Sequence, residues 1–369
     1  FERFEAELAA LRASGTTPFQ RLTADGYSKS FLYVGSDGAL KYFATPRNRT
    51  RGLFAIPADE LASLSQDSSA GATSETLADP ERVRRVDSTR GFAEGGERKL
   101  YSETTFYMPP LGQRFEAYDG DWSVWLQRLM PGRSVRYPAL SQDGSRAAYI
   151  ERDASRRRLI SPTYNADGDL QPGPVLAETS LTGMLQYASL SPDGSQVVAL
   201  IRDGDRGEGE LQICATDGSQ PCRVLVPGPG TKVQPRFTAD GQSVLFASDV
   251  DGIYNLYSVD VTTGRVQRKT RSLTGVFYPA PAGDALYALG YFAEGFDVVR
   301  FRYGDLLSEP VDFFSRAGLL DSDRDGDSAG ETGDAGVGLP GEDSYFDGLA
   351  APGPDGQLAG PNAPGGPLP

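Results

Sequence analysis

Short β-prone runs, each entered through an Asp-Gly turn, recur along most of the chain. Four align by eye: Ser36-Asp-Gly-Ala-Leu-Lys-Tyr-Phe, Ser141-Gln-Asp-Gly-Ser-Arg-Ala-Ala-Tyr-Ile, Ser191-Pro-Asp-Gly-Ser-Gln-Val-Val-Ala-Leu and Thr238-Ala-Asp-Gly-Gln-Ser-Val-Leu-Phe-Ala. A fifth, Pro281-Ala-Gly-Asp-Ala-Leu-Tyr-Ala-Leu, inverts the turn, and a sixth, Glu94-Gly-Gly-Glu-Arg-Lys-Leu-Tyr-Ser, is degenerate. With Gly38, Gly96, Gly144, Gly194, Gly241 and Asp284 as markers, the intervals run from 43 to 58 residues. That period is the scale of a propeller blade. Within Val233–Thr270 four strands are legible: Val233–Phe237, Ser243–Ser248, Asn255–Asp260 and Arg265–Thr270, separated by Asp240-Gly241, Asp249-Val-Asp-Gly252 and Thr-Thr-Gly264. Tight turns between short strands make one antiparallel blade. No unit shows a helical period, so helical solenoids fit less well.

One such blade cannot bury both of its faces, so blades must stack radially, and closing the ring protects the edges. Closure requires the chain ends to meet. Phe19-Gln-Arg-Leu-Thr23 is similar to the outer-strand ends Arg265-Val-Gln-Arg-Lys-Thr and Cys222-Arg-Val-Leu-Val. It is therefore expected as the outer strand of the last blade, beside Asp297–Arg302. The fold expected is all-β: a six-bladed propeller over residues 16–311. Residues 1–15 carry Phe1, Phe4, Leu8 and Leu11 at helical spacing and read as the end of an upstream segment. Asp67–Ala78 is polar and reads as a long loop in the first blade.

Composition changes the picture at the C-terminus. The 44 glycines and 26 prolines of the whole chain suit many turns, but residues 321–369 alone hold 12 Gly and 7 Pro. They also carry ten acids against Arg324, which accounts for −9 of the formal net charge of −14. Such a segment cannot bury enough apolar surface to fold, so residues 312–369 are expected to be a disordered acidic tail. The acidic balance argues against nucleic acid. No run of 18 apolar residues occurs, so no transmembrane helix is expected. The chain opens at Phe1 without a methionine or a basic-then-apolar leader, and is read as part of a longer precursor linked to further domains.

The repeats Ser191–Leu200 and Phe246-Ala-Ser-Asp-Val-Asp-Gly-Ile-Tyr-Asn-Leu-Tyr-Ser-Val-Asp-Val-Thr-Thr-Gly resemble those of TolB-type, WD-like β-propellers. The resemblance covers roughly residues 19–305. It implies six blades, a bacterial periplasmic or outer-membrane-associated setting, and binding or scaffolding rather than catalysis. The opening Phe4-Glu-Ala-Glu-Leu with Ala13–Tyr27, and the stretch Tyr291-Phe-Ala-Glu-Gly-Phe-Asp-Val-Val, resemble the ends of such propellers in large envelope proteins. There a peptidase-like domain can precede the propeller and a surface-antigen barrel can follow. The function expected is therefore non-catalytic protein binding at a propeller face or channel mouth. The alternative is a substrate-gating propeller of a larger peptidase.

Candidate chemistry is sparse. The chain has no histidine, which excludes Ser-His-Asp and Cys-His catalysis and histidine zinc sites within it. Gly326-Asp-Ser328-Ala-Gly330 matches a nucleophile elbow, yet no strand precedes it and no histidine base exists. Asp321, Asp323, Asp325 and Asp327 match the start of a calcium loop, although position twelve is Thr332 rather than Glu. Calcium is the one cofactor this pattern admits, against the alternative of a solvated acidic linker. Cys214 and Cys222 flank Thr-Asp-Gly-Ser, a hairpin turn, so a disulfide is feasible; two buried thiols are the other reading. Tyr101, Tyr107, Trp122 and Trp125 lie in the densest aromatic stretch and form a candidate partner surface, with blade packing as the alternative. The recurrent Asp37, Asp143, Asp193 and Asp240 read as turn residues, and Arg156–Arg158 as a solvated turn.

Overall fold

The computed structural model describes residues 9, 13, 15–26, 28–45, 51–66, 73–85, 89–104, 113–119, 127–128, 134–165, 170–204, 208–283 and 285–315. Their strands form six largely antiparallel sheets of four or five strands and one separate two-stranded hairpin, Thr163–Tyr164 with Leu170–Gln171. In chain order the innermost strands are Ser28–Val34, Thr89–Gly95, Ser134–Leu140, Met184–Leu190, Lys232–Phe237 and Val276–Ala282. Neighbouring inner strands pack side by side from Thr89–Gly95 round to Ser28–Val34. Phe31 and Phe92 close the circle with rings 5.9 Å apart. The result is an all-β propeller. Five sheets are shown as blades with their interiors; the second, Thr89–Arg128, is shown chiefly as strand pairing.

The sequence dictates this stacking through its middle strands. Gln196–Arg202 is buried along its length apart from its two ends, and Ala285–Phe292 over its first six residues. A strand covered on both faces must lie between two neighbouring sheets. Outer strands such as Val175–Ser180 face solvent instead, with Thr179 alone buried. The largest core joins the third to sixth sheets through Val198, Phe246, Tyr257 and Leu286.

The fifth sheet follows the sequence reading closely, with strands Lys232–Phe237, Ser243–Ser248, Asn255–Asp260 and Val266–Arg268. The N-terminal strand also falls where expected. Gln20 pairs with Arg300 and Arg21 with Val299, so residues from the start of the chain complete the last sheet.

Three features were not expected. A helix, α1 (Ala58–Gln66), lies in the first blade and buries Leu61 and Leu64. Ser74–Glu75 adds a fifth, parallel strand to the last sheet. Glu309–Val311 returns to pair with Val266–Arg268, and Phe313 beyond it is fully buried. The packed chain thus runs past the boundary expected at residue 311. Among the described residues no helix is long and apolar enough to cross a membrane. The expected N-terminal helix lies almost entirely outside the described residues, and residues 316–369 lie wholly outside them.

Candidate functional site: the mouth of the central channel

The Asp-Gly turns connect the inner strand of a blade to the next one, and their chemistry is local. Ser141 Oγ donates to Asp143 at 2.6 Å, the Ser145 N–H donates to the same carboxylate at 3.0 Å, and the Arg146 N–H closes on Ser141 Oγ at 3.0 Å. Ser191, Asp193 and Ser195 repeat the pattern, as do Thr238, Asp240 and Gln242. Hydrogen bonds from Ser141 and Ser145 hold the Asp143 carboxyl down to about 2. Similar donors lower Asp193 and Asp240. These aspartates are turn residues, as the sequence suggests. Neighbouring turns also touch: the Gly96 N–H donates to the Gln142 carbonyl at 2.8 Å and the Gln142 N–H to the Pro192 carbonyl at 3.0 Å. A Cβ on Gly95 would stand 2.0 Å from the Ser141 carbonyl oxygen, so the second and third sheets meet only because that position is glycine.

The inner strands share an unusual backbone feature. Phe31, Tyr137, Tyr187, Gln234 and Tyr278 have φ between 50° and 59°, and Gly91 has φ 134°. Each sits at a β-bulge, where the pairing register slips against the second strand. The left-handed conformation costs an L-residue on the order of 1–2 kcal/mol, and here it recurs on five of the six inner strands, with Gly91 at the matching place of the sixth. These residues form a collar at the centre. Phe31 and Tyr278 have rings 5.9 Å apart, Tyr137 and Tyr187 5.1 Å apart, and the Tyr278 N–H donates to the Gln234 side chain at 2.8 Å. The gap left at the collar is about 40 Å³.

Above the collar, on the side of the Asp-Gly turns, the channel opens into a cavity of about 740 Å³. All six inner strands line it. Two residues beyond the collar stand Tyr33, Ala93, Ala139, Ser189, Arg236 and Ala280. The four small residues make the room; Tyr33 and Arg236 project into it. Glu94 is buried at the wall and satisfied: Lys41 donates to it at 2.9 Å, the Tyr33 hydroxyl at 2.9 Å, and Lys99 stands 3.9 Å away. Lys41 also pairs with Asp37 at 2.9 Å. Burial pulls the Asp37 carboxyl up, but the hydrogen bond and charge of Lys41 and the Ala39 N–H together bring it below its ordinary value. Burial lowers Arg236, against the opposing influence of the neighbouring Tyr33 and Tyr278 phenols.

The residues singled out from sequence fall elsewhere. Cys214 and Cys222 are joined by a disulfide across the hairpin of the fourth sheet, with Cα atoms 4.2 Å apart. Tyr101 is in strand Arg98–Thr104, paired with Phe92 and Glu116, but its side chain lies outside the described residues. So do Tyr107, Trp122, Trp125, Ser328 and the aspartates Asp321, Asp323, Asp325 and Asp327. Among the described residues no cluster of His, Cys, Asp or Glu is arranged to hold a metal ion. Arg156–Arg158 is not a turn: it begins strand Arg156–Ile160, where Arg158 pairs with Glu178 at 2.7 Å and Asp153 at 2.8 Å. Asp249–Gly252 is a hairpin turn, with Asp251 accepting from the Tyr257 hydroxyl at 2.9 Å.

The mouth residues were missed, yet a signal exists. Phe31, Tyr137, Tyr187 and Gln234 each stand seven residues before the turn glycines Gly38, Gly144, Gly194 and Gly241. Three of the four are aromatic, and that offset marks the collar.

No family model and no curated protein matches the sequence. Solved structures do match. A puromycin hydrolase is similar over 78% of this chain at 16% identity, with a TM-score of 0.50; the match spans 46% of that enzyme. A puromycin-hydrolysing peptidase from Mycobacterium tuberculosis is similar over 81% of this chain and 57% of its own, at 12% identity and a TM-score of 0.47. TolB from Acinetobacter baumannii is similar over 79% of this chain and 66% of its own, at 14% identity and a TM-score of 0.41. The likeness is one of fold alone, and it agrees with the sheet order: the chain is a β-propeller.

Proposed function

We propose that the chain is a non-catalytic protein-binding or scaffolding propeller of six blades, which takes its partner at the mouth of the central channel. The observation that carries this reading is the mouth itself. Six inner strands build one open cavity, floored by an aromatic collar and lined by a few fixed charges, which is the form of a binding site. The count of six includes the second sheet, supported by Gly91 at the collar and Ala93, Glu94 and Gly95 at the cavity wall. In this reading the body expected over residues 16–311 extends to take in Phe313, and the acidic tail that follows offers a weak calcium loop at Asp321–Asp327. A bacterial envelope setting is supported by the Cys214–Cys222 disulfide, which belongs to an oxidising compartment. The experiment is site-specific photo-cross-linking in the source cells. A cross-linker at Ser36 or Gln142, both exposed on the rim, should capture a protein partner, and one at Val224, exposed on an outer strand, should not. Equal capture from all three, or none from the rim, would overturn the reading.

The second reading is a substrate-gating propeller of a larger peptidase. It is favoured by the match to a puromycin hydrolase of which this chain spans less than half. A hydrolase domain encoded next to this segment would decide for it, and flanking sequence without one would decide against it.

A further inference from the structure

The end of the propeller away from the Asp-Gly turns carries an aromatic strip that the channel mouth does not use. Those turns join first strands to second strands, so the hairpins from second to third strands and the starts of the inner strands lie at the other end. There Tyr254, just before the third strand of the fifth sheet, has its ring 4.7 Å from that of Phe277, at the start of the inner strand of the sixth. Phe277 stands 5.6 Å from Phe296, and Phe296 5.1 Å from Tyr291. Tyr291 is 46% exposed and the other three are half-buried. The Phe277 ring lies over Gly275, where an added Cβ would stand 2.9 Å from it.

The hairpin of Ala285–Phe292 with Gly295–Arg302 shows what such a surface holds. Its pairing puts Tyr291 and Phe296 on one face and Phe292 and Asp297 on the other. The second face is filled: the Arg21 guanidinium lies 4.4 Å over the Phe292 ring, with Asp297 as its counter-charge. The first face has the two rings and, at the hairpin tip, the exposed carboxylate of Glu294, which pairs with no cation among the described residues. Lys29, the nearest other cation, is buried on Asp25, Asp297 and the Gly26 and Phe296 carbonyls. Glu294 packs against Gly26 beside this joint. Counted together, Arg21 and Lys29 face Asp25, Glu75, Asp297 and Glu294, an acidic excess. At the far end of the strip Asp249 stands beside the Tyr254 hydroxyl.

We propose that this strip docks an arginine-bearing extended segment of a partner protein, with one guanidinium on Tyr291 and Phe296 and Glu294 as its counter-charge. The proposal lies at the opposite end from the channel mouth and does not rest on that reading. The face of an aromatic ring is electron-rich, so it attracts a cation. A guanidinium can stack flat on the ring and still direct its N–H groups at a carboxylate, whereas an ammonium is a strongly hydrated point charge. An acidic surface on a chain of net charge −14 repels a second copy of itself. The chain after Ser315 has Arg316 and Arg324 as its only cations, the second set among Asp321, Asp323, Asp325 and Asp327, so the arginine comes from another protein.

The test is fluorescence anisotropy at low ionic strength on the full chain, with labelled Gly-Ser-Arg-Gly-Arg-Ser-Gly as the probe. Binding is expected, and Y291A and E294Q should each weaken it roughly fivefold or more. Both side chains are exposed, so each variant should unfold at the temperature of the parent. D217N, which removes an exposed acid at the Asp-Gly end, should leave the affinity unchanged. Citrulline in place of arginine keeps the shape and loses the charge, and should abolish binding; lysine should weaken it. No binding, equal affinity for the arginine peptide and either substitute, or unchanged affinity in Y291A and E294Q would overturn the proposal. So would an equal loss in D217N and E294Q, which would mark a general attraction to an acidic chain. If Y291A fails to fold, the citrulline and lysine peptides against the unaltered chain still decide. Two other occupants would also overturn it. A dimer in sedimentation that Y291A dissolves would mean a second copy, and tighter peptide binding by a chain carrying R316Q and R324Q would mean the chain's own tail.

Discussion

At the residue scale, the inner strand of the fifth sheet shows how far a buried cation can depend on its surroundings. Lys232 is fully buried, donates to the Gly209 carbonyl at 3.1 Å and stands 5.7 Å from the Phe313 ring. Burial pushes its ammonium down to about 8, against the opposing charges of Glu208, Glu210 and Asp249. The unfolded chain holds that proton up to its ordinary value of 10.5, so between about 8 and 10.5 the unfolded state binds more protons than the folded one. Stability should therefore rise with pH across that window. Below it the folded state carries an unfavourable charge costing on the order of 3 kcal/mol. Lys232→Met removes the charge and keeps the length. Urea unfolding at pH 7 should show the variant more stable by about that amount, and the pH-dependent rise between 8 and 10.5 should vanish. A variant that keeps the rise would assign it to another group.

At the element scale, the hairpin of the fourth sheet is held by a short covalent loop. Cys214 is the last residue but one of strand Glu210–Ala215 and Cys222 precedes Arg223–Val226, with the turn between them closed by the Gly218 N–H on the Ala215 carbonyl at 3.1 Å. A disulfide closing eight residues of separation removes loop entropy from the unfolded chain worth about 2–3 kcal/mol. C214A/C222A should lose about that much in denaturant unfolding, and reductant should lower the parent chain to the same midpoint while leaving the variant unmoved. This hairpin was readable because the turn residues and the cysteines lie within one local stretch. The blades were readable for the same reason: each Asp-Gly turn satisfies itself within five residues. Arg236 was not. In Lys232–Phe237 strict alternation puts Lys232, Gln234 and Arg236 together on one polar face. The bulge at Gln234 breaks the alternation, so Lys232 is buried between sheets, Gln234 joins the collar and Arg236 enters the channel. Helix α1 was hidden differently: Leu61 and Leu64 are too few to show a period, and only Asp59 and Glu60 in its first turn mark the start.

At the scale of the whole molecule, stability turns on how a ring made from one chain is closed. Repeats that touch only their neighbours unfold piecewise unless the ends are tied. Here the tie is Gln20–Arg21 beside Val299–Arg300, extended by the Leu22 N–H on the Val298 carbonyl at 2.8 Å. Asp297, fully buried, gathers the joint. It accepts from Arg21, from Thr23 Oγ1 at 2.9 Å, from the Gly26 N–H at 3.1 Å and from Lys29 at 3.3 Å. Asp297→Ala leaves Lys29 buried with only the half-exposed Asp25 as counter-charge, which should cost about 3–5 kcal/mol without opening the ring. Deleting residues 1–24 does more. It removes the strand itself, uncovers the edge of Gly295–Arg302 and empties the place of Leu22 in the core shared by the first and last blades. The two cases are distinguishable, because both tryptophans, Trp122 and Trp125, lie in sequence within the second sheet while the far-ultraviolet signal reports every blade. In urea the two signals should coincide for the parent chain and, at a lower midpoint, for Asp297→Ala. For the deletion they should separate, the blades next to the open seam melting before the rest. Coincident and unshifted transitions in the deleted chain would mean that the ring does not depend on its N-terminal strand.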